Sequence, residues 1–561
     1  MTSPLPRHRL RHPALNVGDA LVAGDGRSLG RRQFLQRAGV MALGVTALPA
    51  ALAACSGSGG SGGSDSLDIT WAQASGPPDM NPLRRFDVEG AMVLALGLET
   101  LVKYDKNFQL IPSLASDFGP SSDLITWTFK LREGINFSDG SPLTIDDVLY
   151  SYQQHLSNPQ SAFGFFYNIV GDISAKGNDL VVTLKSPNNL FGFTAAHTAG
   201  LIWQQSSAEQ MGNKIGTPGN LPIGSGPFQF VEYVQDDHVT LKRNDAYQGT
   251  IPEIPTIDVR TIPDDSSRLL AMRSGQISGT FDVPPEQFDQ WDALDNATVT
   301  KADGLGVVYL AFNVTMEPFD DIHARRAFSY ALDREGLVKS AIQGAGEVAT
   351  AFVPPRFWSS VGVSTTDVLS RYAQFPQYEF DLDKAEDELK QSKYASGGTT
   401  VKVTYPSSLQ RLGKVLLTLK ENLAPLGVIL DVGQVTEDQW FANLYENRET
   451  EAMQVVLYRP DFPDPANYAS FFATDQIDGG NNFGSYSNPQ VDQLIREQSE
   501  AKRTQDRIEP LMKILEIVQI DAVIASAWWE SSLLATSDEI VGYADPVWYL
   551  DPWALSLEKS S

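Results

Sequence analysis

Short alternating strands interleaved with isolated helical patterns predict a layered α/β fold for the bulk of this chain. Hydrophobic residues make up 42% of the 561 positions, so most of the length can bury a core. A soft prior of ~150 residues per domain suggests about three or four domains. There is no internal repeat of solenoid length, and no apolar run beyond residue 54 is long enough to span a membrane.

Each element has a local reason. Segment 67–72 alternates like a first strand. Segment 123–131 alternates more clearly, with Trp127 and Phe129 on one face, and 179–184 and 238–242 follow the same period. Helical spacing occurs at 144–154, 266–274, 322–331, 382–391, 409–423 and 491–498. The turn residues Ser138, Asp139 and Gly140 precede a helix start at Thr144, where Asp146 and Asp147 fall favourably in the first turn. Segment 221–228 is packed with turn formers beside apolar residues. No Gly-Lys-Ser/Thr follows it, so it suits a rigid crossing between lobes better than a phosphate loop.

The first 66 residues differ from the rest. Residues 1–54 hold seven arginines and two aspartates. Arg31-Arg32 followed by Phe34-Leu35 resembles the twin-arginine export signal. An uncharged stretch over 38–54 follows, too short for a spanning helix and suited to a signal peptide. Leu52-Ala53-Ala54-Cys55 resembles a lipobox, which implies a lipidated Cys55 as the mature N-terminus. Residues 55–65 then read as the lipidated cysteine and a flexible Gly/Ser tether. Gly59-Gly60-Ser61-Gly62-Gly63 fits the hydrolase pattern G-x-S-x-G but lacks the strand and helix which that motif requires. Loss of residues 1–54 leaves 507 residues and takes the net charge from −26 to −31. The expected location is extracytoplasmic, on the outer face of a bacterial cell membrane.

Composition excludes several classes. The acidic balance argues against a nucleic-acid partner. One cysteine excludes a disulfide framework and any multi-cysteine metal site. His155, His197, His238 and His323 are the histidines beyond residue 54, and none begins a His-Glu-x-x-His motif. No metal or cofactor is expected, and no enzymatic activity.

Residues 127–144, reading Trp-Thr-Phe-Lys-Leu-Arg-Glu-Gly-Ile-Asn-Phe-Ser-Asp-Gly-Ser-Pro-Leu-Thr, then Asp146-Asp147-Val148, carry a specific resemblance. They are similar to the signature of the dipeptide/oligopeptide-type extracytoplasmic solute-binding proteins of ABC importers. Leu98-Glu99-Thr100-Leu101-Val102 fits the same family. So does Pro222-Ile223-Gly224-Ser225-Gly226-Pro227-Phe228, with Ser and Phe replacing Thr and Tyr. Further matches are Leu310-Ala311-Phe312-Asn313, Pro318-Phe319-Asp320-Asp321, Arg325-Arg326-Ala327 and the loop 458–465. Leu457-Tyr458 departs from the Gly-Trp usual near the start of that loop.

The resemblance implies a two-lobed, periplasmic-binding-protein-like (class II) fold with an additional α+β domain and a ligand cleft between the lobes. Lobe I would combine 66–99, 204–314 and 535–561. The additional domain would span 100–203, and lobe II 315–534. It implies a monomer that captures peptides and delivers them to an ABC permease with its ATPase subunits.

Peptide capture has physical demands. A buried ammonium needs a carboxylate, and an extended ligand needs backbone partners. The resemblance assigns the ammonium to Asp461. Leu457, Tyr458 and Arg459 fall where loop backbone pairs with ligand, Val88 where the opposite lobe does so, and Trp440 at an aromatic pocket wall. Plainer readings stand beside these. Asp461 and Asp464 lie in a Pro-rich loop and can be turn residues. Trp440 can be core. Arg459, and more weakly Arg356, can bind a ligand carboxylate or form a salt bridge between lobes. Trp528-Trp529-Glu530 and Trp548-Tyr549 can stack sugars, but packing at the interlobe base is the favoured reading. The alternatives are another solute (an oligosaccharide, a nickel chelate or an opine), a secreted hydrolase, or a surface adhesin or signalling receptor.

Overall fold

The computed structural model describes residues 68–85, 87–395, 397–542 and 552–560. The twin-arginine segment with Arg31 and Arg32, the lipobox with Cys55, the tether, Trp548 and Tyr549 lie outside them. No helix among the described residues is long and apolar enough to cross a membrane.

A nine-stranded sheet forms the frame. Its order is Phe228–Val234, His238–Arg243, Thr256–Thr261, Ile69–Gln73, Gly279–Thr280, Ile524–Ser537, Ala297–Phe312 and Met453–Tyr458, with Gly346–Val348 added beside Ile524–Ser537. Ile69–Gln73 runs parallel to Thr256–Thr261 and to Gly279–Thr280. The two long strands, Ala297–Phe312 and Ile524–Ser537, are antiparallel and carry the sheet from its first strands to its last. Their register breaks between Ala302 and Gly306, opposite Ser532 and Glu530.

A second sheet of four antiparallel strands, Ala115–Pro120, Thr126–Leu131, Asp179–Leu184 and Val170–Lys176, lies within 100–203. Trp127, Phe129 and Leu131 are buried on one face, as their alternation predicts. Val148, Tyr152 and His155 are buried on the helix Ile145–Ser157. Each large apolar side chain so buried contributes ~2 kcal/mol. His155 stacks on Tyr167 at 5.4 Å and meets the Ser161 hydroxyl at 2.9 Å. Burial pushes its pKa down to about 3, so it is a neutral core residue. At the helix start the Asp147 carboxylate accepts the Thr144 N–H at 2.9 Å and its hydroxyl at 2.8 Å.

The other predicted helices form at Asp265–Arg273, Ile322–Tyr330, Leu382–Gln391, Gln410–Leu423 and Pro489–Ser499, within two residues of their expected ends. Segment 221–228 requires a correction. The chain does not cross between halves of the main sheet there; the two long strands do that. Gly224 O accepts the Ser138 N–H at 2.9 Å, Ile223 O accepts the Gln204 N–H at 2.9 Å, and Gly226 N–H donates to Gly97 O at 3.0 Å. Gln204 also donates to Asp139 Oδ2 and Ser141 Oγ, both at 2.8 Å. The segment is therefore a seam that joins the 100–203 unit to the end of the helix Val88–Gly97. A Cβ on Gly224 would stand 2.1 Å from Gly97 O. Gly224→Ala is expected to destabilise the fold by about 1–3 kcal/mol, read by chemical denaturation.

Residues within 100–203 also touch residues far along the chain. Asn189 Nδ2 donates to Gln498 O at 3.1 Å and Ala501 O at 2.7 Å, while its N–H donates to Ser499 O at 2.8 Å. Ser359 Oγ donates to Asn107 O at 2.9 Å, and Phe108 stacks on Phe357 at 5.6 Å.

Candidate ligand-binding site

The loop 459–464 leaves the last strand of the main sheet. Leu457 and Tyr458 still pair with Val308 and Val307 on one edge of that strand. The loop is anchored at its far end. Asp464 is fully buried, caps the helix Pro465–Ala469, and accepts from Ser360 Oγ at 2.8 Å and from both terminal nitrogens of Arg507, Nη1 at 3.0 Å. Arg507 is 4% exposed, so the ion pair is a buried one. Asp464 is thus the turn-and-cap residue that its Pro-rich surroundings suggest.

Asp461, three residues earlier, is half-buried. Its N–H donates to Asn467 Oδ1 at 3.2 Å, and the Tyr458 hydroxyl donates to the same oxygen. Loss of hydration pushes the Asp461 carboxyl up to about 6, against a lowering hydrogen bond from the Asn467 side chain. Tyr445 and Tyr458 lie within its electrostatic reach. Around the loop Tyr458 packs on Phe471 at 4.3 Å and Tyr468 at 5.3 Å, and Phe462 stacks on Phe193 at 5.1 Å.

Arg459 is exposed, and its Nη2 stands 3.2 Å from Glu530 Oε1. Glu530 is 2% exposed and also receives Arg411 through Nε at 2.8 Å and Nη2 at 3.1 Å. Burial pushes the Glu530 carboxyl up, but the Arg411 and Arg459 guanidiniums outweigh it and hold it below the ordinary range. Glu530 pairs with Gly306 where the long strands change register, so Arg459 ties the loop to that break.

Val88 is not extended. It opens the helix Val88–Gly97, whose cap Asp87 accepts the Gly90 N–H at 2.8 Å. Trp440 is 5% exposed, belongs to the core, and has an indole N–H with no partner among the described residues. Trp528 and Trp529 are buried, and Trp529 Nε1 donates to Ala351 O at 3.1 Å, so neither is a sugar platform. The Arg356 guanidinium lies over the Phe108 ring at 5.1 Å.

Sequence reasoning missed Glu89 and Asp282, both half-buried and both within electrostatic reach of Arg459. Burial pushes the Glu89 carboxyl up to about 7, and Asp282 adds to the rise. Asp282 follows Gly279–Thr280, a strand of two residues that no periodicity can reveal. A usable signal was topological: Gln73 and Asp282 stand at the carboxyl ends of neighbouring parallel strands, where open sheets place ligands.

A sheet carried end to end by two long strands, with a carboxylate-bearing loop at its last strand, is the architecture of the two-lobed periplasmic binding proteins. The chain belongs to the bacterial extracellular solute-binding proteins, family 5, whose middle-region profile matches residues 109–480. It is 27% identical over 486 residues to the glutathione-binding protein GsiB of Escherichia coli (strain K12), covering 85% of this chain and 89% of that one. Its fold is similar to the periplasmic binding protein DppA of Helicobacter pylori in complex with peptide STSA, with a TM-score of 0.74, 21% identity, and 88% and 98% of the two chains covered. It is likewise similar to AgaA of A. tumefacien R10 in complex with agropinic acid, with a TM-score of 0.72, 18% identity, and 88% and 99% covered. The chain is therefore a solute-binding protein that works outside the cytoplasm, and not an enzyme.

Proposed function

We propose that this protein is a lipid-anchored receptor that captures peptides and passes them to an ABC permease. Asp461 carries the reading. A half-buried carboxylate that sits beside the neutral Asn467 amide and is raised by loss of hydration is suited to a ligand ammonium. Among the described residues the strand before the loop is paired on one edge only, and an extended peptide can add beside its half-buried end at Leu457 and Tyr458. Arg459 is held by Glu530 and serves the frame before it serves a ligand. Trp440 supplies core packing on the helix Glu437–Tyr445, which also carries Tyr445.

In this reading 66–99 with 204–314 and 535–561 form lobe I, 100–203 the additional domain and 315–534 lobe II. The register break supports crossings a few residues earlier in each long strand than those bounds. Arg31 and Arg32 direct export, and the lipid on Cys55 holds the protein at the membrane through the 55–65 tether.

The test is native mass spectrometry of the purified mature protein followed by thermal shift. Free-amino di- and oligopeptides are expected to raise the melting temperature. Stabilisation by oligosaccharides, opines or nickel chelates alone would replace the peptide assignment.

A further inference from the structure

We propose that Gln73, Glu89 and Asp282 form a second cation subsite, which gives the protein a preference for peptides that carry a basic side chain. The inference rests on the peptide reading and names the peptide class.

Three acceptors meet at the carboxyl ends of two parallel strands. Gln73 ends the strand Ile69–Gln73, and Asp282 follows its parallel neighbour Gly279–Thr280. Asp282 Oδ2 accepts the Ala74 N–H at 2.6 Å, which fixes that carboxylate beside Gln73. Gln73 Nε2 donates to Glu89 O at 3.3 Å, which brings its amide against the first turn of the helix Val88–Gly97. Gln73 is 2% exposed, and its Oε1 has no hydrogen-bond partner among the described residues. A buried amide oxygen left unpaired is costly. Two half-buried carboxylates and an amide oxygen can all be satisfied by one group with several donors, an ammonium or a guanidinium.

Among the described residues, the protein's own cations do not fill this role. Arg268 donates to Asp282 O at 3.1 Å and lowers the Asp282 carboxyl at longer range, but its hydrogen bond goes to the backbone carbonyl and its remaining bonds to Ile262, Pro263 and Asp265. Arg459 acts on both acids at longer range while its ion pair is with Glu530. Burial pushes both carboxyls above their ordinary values, as expected of acids short of a counter-charge. Arg459, two residues before Asp461, acts electrostatically on both acids, which sets the subsite within reach of the loop that would receive the peptide's amino terminus.

The test is isothermal titration calorimetry with Ala-Ala-Ala, Lys-Ala-Ala, Ala-Lys-Ala, Ala-Ala-Lys and Ala-Glu-Ala. Wild type is compared with the folded double variant E89Q/D282N. The best lysine peptide is expected to bind wild type about tenfold or more tighter than Ala-Ala-Ala. That advantage is expected to vanish in the double variant while Ala-Ala-Ala keeps its affinity. Equal binding of lysine and alanine peptides by wild type would overturn the subsite, a result that does not depend on the variant folding. A lysine preference that survives the double substitution would also overturn it, and would assign the effect to long-range attraction by the net charge of −26. Binding of none of the five peptides would remove the peptide reading itself, and the subsite with it.

Discussion

Asp461→Asn is expected to weaken peptides with a free amino terminus by about 3–5 kcal/mol, roughly two to four orders of magnitude in Kd. The N-acetylated forms of the same peptides are expected to bind both proteins alike. The substitution keeps the side chain's size beside Asn467 but leaves a desolvated ammonium facing a neutral amide. A pH series adds a second signature. The free carboxyl sits up near 6, and a ligand ammonium favours its ionised form, so binding releases a proton below that value. Affinity is expected to rise with pH towards 6 and then level, and this step is expected to be missing from Asp461→Asn. Glu89, pushed up to about 7, titrates nearby, so the difference between the two proteins isolates Asp461. The same shift acts on folding. Folded Asp461 holds its proton more tightly than the unfolded chain does, so its contribution is full below the ordinary value of 3.8 and is lost as pH rises through 6. Equal affinity losses for free and acetylated peptides in calorimetry would remove Asp461 from this role.

Asp464→Ala is expected to cost about 3–5 kcal/mol of unfolding free energy. It leaves the Arg507 guanidinium buried without its carboxylate, removes the cap of the helix Pro465–Ala469 and leaves Ser360 Oγ with Phe357 O as its acceptor. The double variant Asp464→Ala/Arg507→Met is expected to recover part of the loss, because the orphaned charge goes with its partner. Denaturant titration reads both. A loss below about 1 kcal/mol for the single variant would mean that water reaches Arg507 and that the loop anchor lies elsewhere.

Much of the fold could be read from the chain because periodicity reports which face of an element is buried. Trp127, Phe129 and Leu131 alternate into one core, and the helix at Thr144 announces itself by its acidic first turn. Periodicity does not report what an element is buried against. The prolines and glycines of 222–228 marked a rigid turn, but only the contacts of Gly224 with Gly97 and Ser138 show which parts it joins. Asp461 could be singled out through the loop that surrounds it, and its half-buried place could not. Glu89 and Asp282 could not be singled out, because they are 193 positions apart in sequence and their proximity depends on the pairing of Ile69–Gln73 with Gly279–Thr280. Arg459 shows the same limit, since its partner Glu530 is chosen by strand register.

The main sheet ends in two edges of different character. Phe228–Val234 opens the strand order with a register shift between Phe230 and Glu232, and Val231 there is 57% exposed beside the exposed Glu232. Met453–Tyr458 closes the order in unbroken register, and its first four residues are buried. The solvent-facing edge is thus kinked and charged against intermolecular strand pairing, whereas the flat edge is guarded by burial. A second copy of the chain finds no straight, accessible template for strand pairing at either end.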